Sequence, residues 1–445
     1  MTAKTPPRVR SLPLIGNALD FSRDPAALVR RGYEQYGEVF AIQLGTKPVV
    51  VLLGPENHAL FFELTDKNLS MREAYQFLVP MFGEILFAAP THEEYLEQRR
   101  MMAPILSGRK MAGYIHQMDR EICDWIAALP ESGRFELNDF AQFITMYTAA
   151  RCFMGDDFRE AVGDEFAALY REIARGIDFL LPPNLPLPKF IARDRAKKRL
   201  SALINDLIAR RKGHETEHDD FIQELITARR SNGEPLSPDM ITAAILGFMF
   251  AGYETTSAHL TWAIIRLLEH PEYTQTHVIP EVDRVLADAP EVTGQTVRAL
   301  EHIHWVLMEI ERMDPAAGVL LRYVRESFTV NGYTIPAGWL AMISPAVSHR
   351  LPRVFSDPDT FDPERFSPER AEHQKHPYTL VGFGGGMHKC WGMSFANNEM
   401  TVILARLFQA FDLSLEHSGP IPLDSGQQIA RPRPPFYIRY TRRKR

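Results

Sequence analysis

Cysteine is scarce in this sequence. The 445 residues include three cysteines, Cys123, Cys152 and Cys390, which lie far apart and form no CxxC-type pair. Scattered cysteines in an odd number exclude a disulfide framework, argue against a zinc finger, and are typical of a protein kept in a reducing compartment. We therefore expect a cytoplasmic protein in which any cysteine with a special function is a metal ligand or a nucleophile.

Long hydrophobic runs and an excess of positive charge are also absent. No segment approaches the ~20 apolar residues that span a bilayer, and the N-terminus lacks the apolar core of a signal peptide. The formal net charge is −6, unlike that of a basic domain that neutralises many phosphates. We expect a soluble monomer with no transmembrane anchor and no nucleic-acid partner.

The composition and patterning favour one large domain. Hydrophobic residues make up 45% of the chain, and we find neither an internal repeat nor a long linker. Residues 38–55 alternate around a Gly-Thr-Lys-Pro turn and predict a β-hairpin, whereas most of the later patterns are helical. The predicted fold class is mainly α with a small β-rich region. We place the β-rich portion at about 38–65, 320–345 and 410–445, and the helical body at about 66–319 and 346–409.

The longest predicted helix is marked at both ends. Ser237 suits the N-cap, Pro238 suits the first helical position, and Pro271 stops the pattern after His270. At ~1.5 Å per residue, its roughly 32 residues span about 50 Å. The stretch AGYETT (251–256) places polar groups in the middle of this apolar helix. Hydroxyl groups bonded back to helix carbonyls are the ordinary interpretation of such a stretch.

Cys390 lies in the glycine-rich segment FGGGMHKCWG (383–392). Glycines allow backbone conformations closed to other residues and suit a loop pressed against a flat group. A zinc site needs more ligands than this segment offers, whereas an axial ligand to haem iron requires a single cysteine. A nucleophilic cysteine and a buried free cysteine are the other interpretations, and the segment alone leaves all of them open.

The same segment resembles the haem-binding signature FxxGxRxCxG of the cytochrome P450 monooxygenases, with His388 where most members carry Arg. Further family motifs occur in the expected order. AGYETT resembles the oxygen-activation stretch (A/G)Gx(D/E)T, EIER (309–312) resembles ExxR, and PERF (363–366) resembles the segment that completes its ion network. The resemblance covers almost the whole chain and implies a single P450 domain over residues 1–445.

The resemblance implies haem b as the cofactor and O2 as the co-substrate, with Cys390 as the thiolate ligand of the iron. It implies that Thr255 and Glu254 form the catalytic proton relay. The remaining cofactor-binding residues that it implies are Phe383 and Gly386 in the cysteine segment, and Arg99, Arg322, His388 and Tyr75 for the propionates. Glu309, Arg312 and Arg365 are expected to form a buried ion network that holds the cysteine loop.

The segment YQFLVPMFGEILF (75–87) resembles the corresponding region of sterol 14α-demethylases. Two residues depart from that subfamily, because Glu254 stands where it usually has His, and Ala88 where it has an aspartate. We expect hydroxylation of a sterol, steroid or terpenoid. The expected pocket residues are Tyr75, Phe77, Phe82, Ala251 and Leu320. A haem-thiolate isomerase or dehydratase, a haem-based gas sensor, and a monooxygenase of fatty acid or polyketide substrates are the alternatives.

The resemblance also implies a redox partner. We expect electrons from NAD(P)H to arrive through a separate ferredoxin or flavodoxin with its reductase. Exposed basic residues near the thiolate are expected to attract an acidic partner, and the candidates are Lys389, Arg99 or Arg100, Arg109 and Lys110.

Overall fold

Helices dominate the part of the chain that the structure describes. The computed structural model describes residues 4–176, 181, 184–211, 220–287, 291–424 and 429–444. Its α-helices are α1 (Ala18–Arg23), α2 (Pro25–Tyr36), α3 (Pro55–Leu64), α4 (Met71–Ala74), α5 (Val79–Phe82), α6 (His92–Met102), α7 (Gly108–Ala127), α8 (Leu137–Met154), α9 (Asp156–Arg175), α10 (Pro188–Arg211), α11 (Phe221–Thr227), α12 (Pro238–Glu269), α13 (Pro271–Tyr273), α14 (Ile279–Leu286), α15 (Gly294–Arg298), α16 (Glu301–Met313), α17 (Pro345–Ser348) and α18 (Met393–Ala410).

The strands form small sheets. They are β1 (Val39–Leu44), β2 (Lys47–Leu52), β3 (Leu69–Ser70), β4 (Ser132–Glu136), β5 (Leu320–Val324), β6 (Phe328–Val330), β7 (Tyr333–Ile335), β8 (Leu340–Ile343), β9 (Phe411–Leu415) and β10 (Tyr437–Arg442). One sheet has the order β1-β2-β8-β5-β3, a second has the order β4-β10-β9, and β6 pairs with β7. This architecture confirms the predicted fold class.

The first sheet joins distant parts of the chain. The predicted hairpin forms β1 and β2, and β2 then pairs in parallel with β8, so that Val49 lies opposite Leu340. Three segments differ from the expected division into β-rich and helical portions, and one of them is the short strand β3, which pairs with β5. Residues 55–64 are helical, since Pro55 occupies the first turn of α3. Strand β4 lies within the expected helical body because its pairing partner is β10, which places Phe135 opposite Ile438.

Helix α12 crosses the domain. It runs for 32 residues, and the Ser237 side chain accepts a hydrogen bond from the Met240 amide at its start. Its partners α8, α10, α16 and α18 pack around it, and most of its residues are buried. The predicted helix is therefore confirmed at both ends. Ala251 and Thr255 are exposed although they lie in the middle of this buried helix.

Candidate active site

The cysteine loop, residues 383–392, contains a short 3-10 turn, Gly386–His388, and ends at the start of α18. Gly384 and Gly386 have φ angles of +73° and +61°, in a region that glycine adopts without strain. The resulting turn brings the Cys390 amide 2.8 Å from the Phe383 carbonyl, which accepts its hydrogen bond. The glycines therefore fold the loop back onto Phe383.

The Cys390 sulfur lies close to the N-terminus of α18. Burial raises the pKa of the Cys390 thiol, and the amide groups of Gly392 and Met393, which hydrogen-bond the sulfur, act in the opposite direction. Amide donors and a helix N-terminus stabilise an anionic sulfur. The side chain remains accessible although protein atoms crowd around it. This environment suits a thiolate that ligates a metal.

Helix α12 packs against the cysteine loop one turn beyond Thr255. The His259 ring stacks on the Phe383 ring with centroids 6.2 Å apart, and His259 Nε2 lies 3.0 Å from the Leu307 carbonyl oxygen. Burial lowers the pKa of His259 to about 4, so this ring is neutral. The packing of neutral rings brings the accessible part of α12 next to the loop that carries Cys390.

The predicted relay residues have different surroundings. The Thr255 hydroxyl donates to the Ala251 carbonyl at 2.6 Å, as expected for a threonine inside a helix. The Glu254 carboxylate pairs with Arg431, whose Nη2 lies 2.7 Å from Oε2. Burial raises the pKa of Glu254, and the Arg431 charge opposes that increase. Glu254 is therefore a partly buried acid with a dedicated counter-ion.

Sequence reasoning did not identify Arg431. This residue is buried, and its Nη2 also donates to the Glu254 carbonyl at 2.8 Å and to Ser257 Oγ at 2.7 Å. Its Nη1 is buried and has no hydrogen-bond partner among the described residues. Arg431 lies far from Glu254 along the chain and carries no recognisable motif, so no local signal pointed to it.

Arg322 is a buried cation whose charge interacts with that of the Asp66 carboxylate. Its side chain donates to Thr65 Oγ1 at 3.2 Å and to the Leu321 carbonyl at 2.7 Å, and its guanidinium lies over the Phe61 ring. No carboxylate forms a salt bridge with Arg322 in the described part of the chain. Burial lowers the pKa of Arg322. A buried guanidinium of this kind fits an anionic group supplied by a ligand.

The other predicted propionate partners already have partners within the protein. Arg99 donates to the Met387 carbonyl at 2.5 Å and its guanidinium lies 5.4 Å from the Trp391 ring centroid. His388 Nε2 lies 2.6 Å from a carboxylate oxygen of Asp66. Asp66 is therefore a local anion that sequence reasoning did not anticipate. Both basic residues lie at the cysteine loop, which keeps them candidates for cofactor binding.

The structure brings together Glu309, Arg312 and Arg365, all of them fully buried. Arg312 Nε lies 2.6 Å from Glu309 Oε2, and Arg365 Nε lies 3.4 Å from Glu309 Oε1. The remaining donors of the two arginines bind backbone carbonyls between His349 and Thr360. The network thus holds residues 349–362, and it reaches the segment before the cysteine loop through His349.

Two residues missed by sequence reasoning contact the segment that leads into the cysteine loop. The Val381 amide donates to His349 Nε2 at 3.0 Å, and the Phe383 amide donates to Glu311 Oε1 at 3.3 Å. Burial raises the pKa of Glu311 to about 7. The acid at position 311 inside EIER was the available signal, since an acidic residue on a buried helix needs a partner.

The predicted pocket residues lie near α12 and β5. The Phe82 ring is buried and packs against Phe250, with centroids 4.7 Å apart. The Tyr75 hydroxyl accepts a hydrogen bond from the Leu321 amide at 3.2 Å, beside Leu320. The Phe77 ring lies 6.0 Å from the Tyr75 ring. Phe82 therefore supports α12 from the core, whereas Ala251 is accessible.

Comparison with known proteins decides the family. The model of the family described as cytochrome P450 matches residues 6–440. The chain belongs to the cytochrome P450 family. This confirms the resemblance drawn from the motifs, and the protein is a cytochrome P450 monooxygenase.

Curated relatives of this P450 include sterol demethylases. A sterol 14alpha-demethylase of Mycolicibacterium vanbaalenii is 32% identical over 437 residues, which cover 97% of this chain and 96% of the relative. A sterol 14-demethylase of Arabidopsis thaliana is 30% identical over 451 residues, which cover 99% of this chain and 92% of the relative. Among solved structures, retinoic-acid-bound cyanobacterial CYP120A1 matches with a TM-score of 0.90 and 25% identity over the full length of both chains.

The residues of this P450 fit the haem that the family implies. Haem iron would be held by a single cysteine thiolate, and the loop offers Cys390 beside amide donors. The propionates require cations, and Arg322 is a buried cation that forms no salt bridge with the described carboxylates. The described residues hold no group of three or more His, Cys, Asp or Glu side chains arranged around a metal. None of the described helices combines the length and apolarity that crossing a membrane requires.

Proposed function

We propose that this P450 binds haem b through Cys390 and inserts one oxygen atom from O2 into an apolar substrate. The observation that carries the proposal is the Cys390 sulfur, which lies at the N-terminus of α18 and receives the Gly392 and Met393 amides. When bound, haem supplies the oxygen chemistry, and the protein supplies binding, orientation and protons. Arg322, with Arg99, His388 and Tyr75, would hold the propionates, and Gly386 and Phe383 would shape the surface beneath the ring.

The protein's own part in the reaction is proton delivery on the α12 side. Glu254 would supply protons from its partly buried carboxyl group, and Arg431 would hold that carboxyl in place at 2.7 Å. The Thr255 hydroxyl, which donates to the Ala251 carbonyl at 2.6 Å, would hold a proton on the accessible side of α12. The ion network of Glu309, Arg312 and Arg365 would be structural.

The reduced carbon monoxide spectrum tests the thiolate assignment. Cys390→Ala should abolish the red-shifted Soret band of the reduced carbon monoxide complex, because alanine offers no ligand. Cys152→Ala is the matched control, since Cys152 is buried and burial holds the pKa of its thiol well above the usual range. Retention of the band in Cys390→Ala would refute the assignment.

We propose a broad, flat, apolar substrate such as a sterol, steroid or terpenoid. The relatives named as sterol demethylases support a sterol-like ligand, and the retinoic acid bound to CYP120A1 supports a terpenoid-like one. Tyr75 and Phe77 offer rigid aromatic area, whereas few polar groups fix orientation; Phe82 supports α12 from the core. Glu254 and Ala88 differ from the demethylase pattern, and therefore we expect mainly single hydroxylation rather than removal of a methyl group.

A ligand panel tests this substrate class. Sterols, steroids, retinoids and other terpenoids, linear fatty acids and small aromatics are titrated while the Soret shift is recorded, and the products of binding ligands are identified. Binding restricted to fatty acids or small aromatics would refute the substrate class. Clean 14α-demethylation of lanosterol-type sterols would refute the single hydroxylation.

We propose a separate ferredoxin or flavodoxin, with its reductase, as the electron donor that carries reducing equivalents from NAD(P)H. Salt bridges within the protein reduce the number of candidate basic residues for this partner. Lys110 pairs with Glu224 at 2.7 Å, and Arg100 pairs with Glu97 at 3.3 Å. Lys389 and Arg109 are exposed; Lys389 directly precedes Cys390, and Arg109 lies in the first turn of α7, which packs against α18. An acidic partner would therefore use Lys389 and Arg109 rather than Lys110.

A further inference from the structure

Helix α16 carries two buried acids that face different parts of the protein. Glu309 binds Arg312 and Arg365, whereas Glu311 lies about 200° further around the helix, at ~100° per residue, and contacts the segment that enters the cysteine loop. The ion network therefore leaves Glu311 without a role. Glu311 is nevertheless buried, and a buried acid is stabilised only by specific hydrogen bonds or charges.

The partners of Glu311 are backbone amides at the entry to the cysteine loop. The Phe383 amide donates to Glu311 Oε1 at 3.3 Å, and the Gly382 amide also hydrogen-bonds the carboxyl group. The preceding amide, of Val381, donates to His349 Nε2 at 3.0 Å, and His349 Nδ1 lies 3.3 Å from the Glu311 carbonyl oxygen. Three consecutive amides are thus bound by α16 and a histidine anchored to it.

The loop is shaped to admit this carboxyl group. A Cβ atom at position 382 would lie 2.5 Å from Glu311 Cγ and 3.0 Å from Oε1. Glycine at 382 therefore permits an approach that any larger residue would prevent. The close approach and the paired amides together distinguish Glu311 from an acid that is buried only as part of a packed helix.

The contact leads directly to Cys390. The Phe383 amide donates to Glu311, and the Phe383 carbonyl accepts the Cys390 amide at 2.8 Å. The Phe383 amide and carbonyl belong to adjacent peptide units that are joined at the Phe383 Cα atom, so one residue of backbone links the two hydrogen bonds. A shift of the Phe383 backbone would therefore move the Cys390 backbone and with it the sulfur.

We propose that Glu311 is a positioning residue that fixes the Cys390 sulfur by binding the Gly382 and Phe383 amides. The proposal rests on the proposed function, in which Cys390 ligates haem iron. The positioning depends on a side-chain oxygen of Glu311 that accepts the hydrogen bonds of the two amides. Glutamine keeps that oxygen, and leucine of similar size removes it.

The experiment compares Glu311→Leu, Glu311→Gln and wild type, each loaded with haem. Two quantities are measured: the rate at which the red-shifted carbon monoxide band converts to the band of the form without thiolate ligation, and the ferric/ferrous reduction potential. Glu311→Leu should convert about tenfold faster or more, as expected when paired amides lose a strong acceptor. Its potential should become more positive because the sulfur donates less to the iron. Glu311→Gln should restore both quantities towards wild type.

Glu281→Leu is the matched control. Glu281 is also buried, and it accepts the His302 and Ile303 amides at the other end of α16. Its loss should lower the unfolding temperature and leave the band and the potential unchanged. The same spectral change in Glu281→Leu would show that any weakening of α16 suffices and would overturn the proposal.

The remaining outcomes distinguish failure of the proposed function from failure of the role proposed for Glu311. Absence of the red-shifted band in wild type would refute the proposed function itself, whereas a normal wild type with an unaltered Glu311→Leu would refute only the role of Glu311. Glu311→Gln behaving like Glu311→Leu would overturn the proposal as well. If Glu311→Leu fails to retain haem, Gly382→Ala replaces it, because the added Cβ disturbs the same contact from the loop side. Gly382→Ala must then show the faster conversion, and a wild-type rate would overturn the proposal.

Discussion

The Glu254–Arg431 pair gives a quantitative prediction. Arg431→Gln removes the guanidinium that lies 2.7 Å from the Glu254 carboxylate. The Glu254 side chain is 21% exposed and the Arg431 side chain is 5% exposed. Removing one partner of a fully buried pair destabilises a protein by about 3–5 kcal/mol. Because Glu254 keeps some exposure, we expect a decrease of about 2–3 kcal/mol in the free energy of unfolding at pH 8.

The decrease should depend on pH, and its sign follows from the pKa of Glu254. Burial already raises that pKa in the wild type, and loss of the opposing Arg431 charge raises it further in the variant. A carboxyl group with a raised pKa binds its proton more tightly in the folded state, so it lowers stability as the pH rises above its unfolded pKa. Arg431→Gln should therefore be close to wild type near pH 5 and increasingly destabilised towards pH 8, by at most ~1.4 kcal/mol per pH unit.

Urea unfolding of wild type and Arg431→Gln at several pH values between 5 and 8 measures this effect. The control is the same comparison in a Glu254→Gln background, in which position 254 has no charge to lose. There the pH dependence of the difference should vanish. A destabilisation that is equal at pH 5 and pH 8, or one that persists unchanged in the Glu254→Gln background, would refute the reasoning.

Two further predictions concern the proposed roles of Thr255 and Arg322. Thr255→Ala should uncouple turnover, releasing hydrogen peroxide from the same reducing equivalents at near wild-type haem content, with about 10²–10⁴-fold loss in the assisted step; unchanged coupling would remove Thr255 from the mechanism. Arg322→Leu should weaken haem retention in a competition with apomyoglobin, because it removes the buried cation, and Arg322→Lys should restore part of it. Retention equal to wild type in Arg322→Leu would exclude a role for Arg322 in holding the propionates.

The sequence by itself determined the features that depend on nearby residues. The Ser237 cap and Pro271 mark the ends of α12, because capping and proline act within one helical turn. The glycines around Cys390 indicated a tightly folded loop, because their φ angles are a local property. The motifs around Cys390 and Thr255 sufficed to indicate the family. Burial of the EIER and PERF charges was also expected, since those segments matched the family pattern.

Only the tertiary structure decided which distant side chains meet. Arg431 pairs with Glu254, and Asp66 pairs with His388. Strand β4 forms because β10 offers it an edge, although its surroundings in the sequence are helical. The segment that enters the cysteine loop hydrogen-bonds Glu311 and His349, and the network of Glu309 and its arginines reaches that segment through the His349 carbonyl. Each of these contacts joins residues that are remote along the chain, and local patterns carry no information on which charge or amide lies opposite after folding.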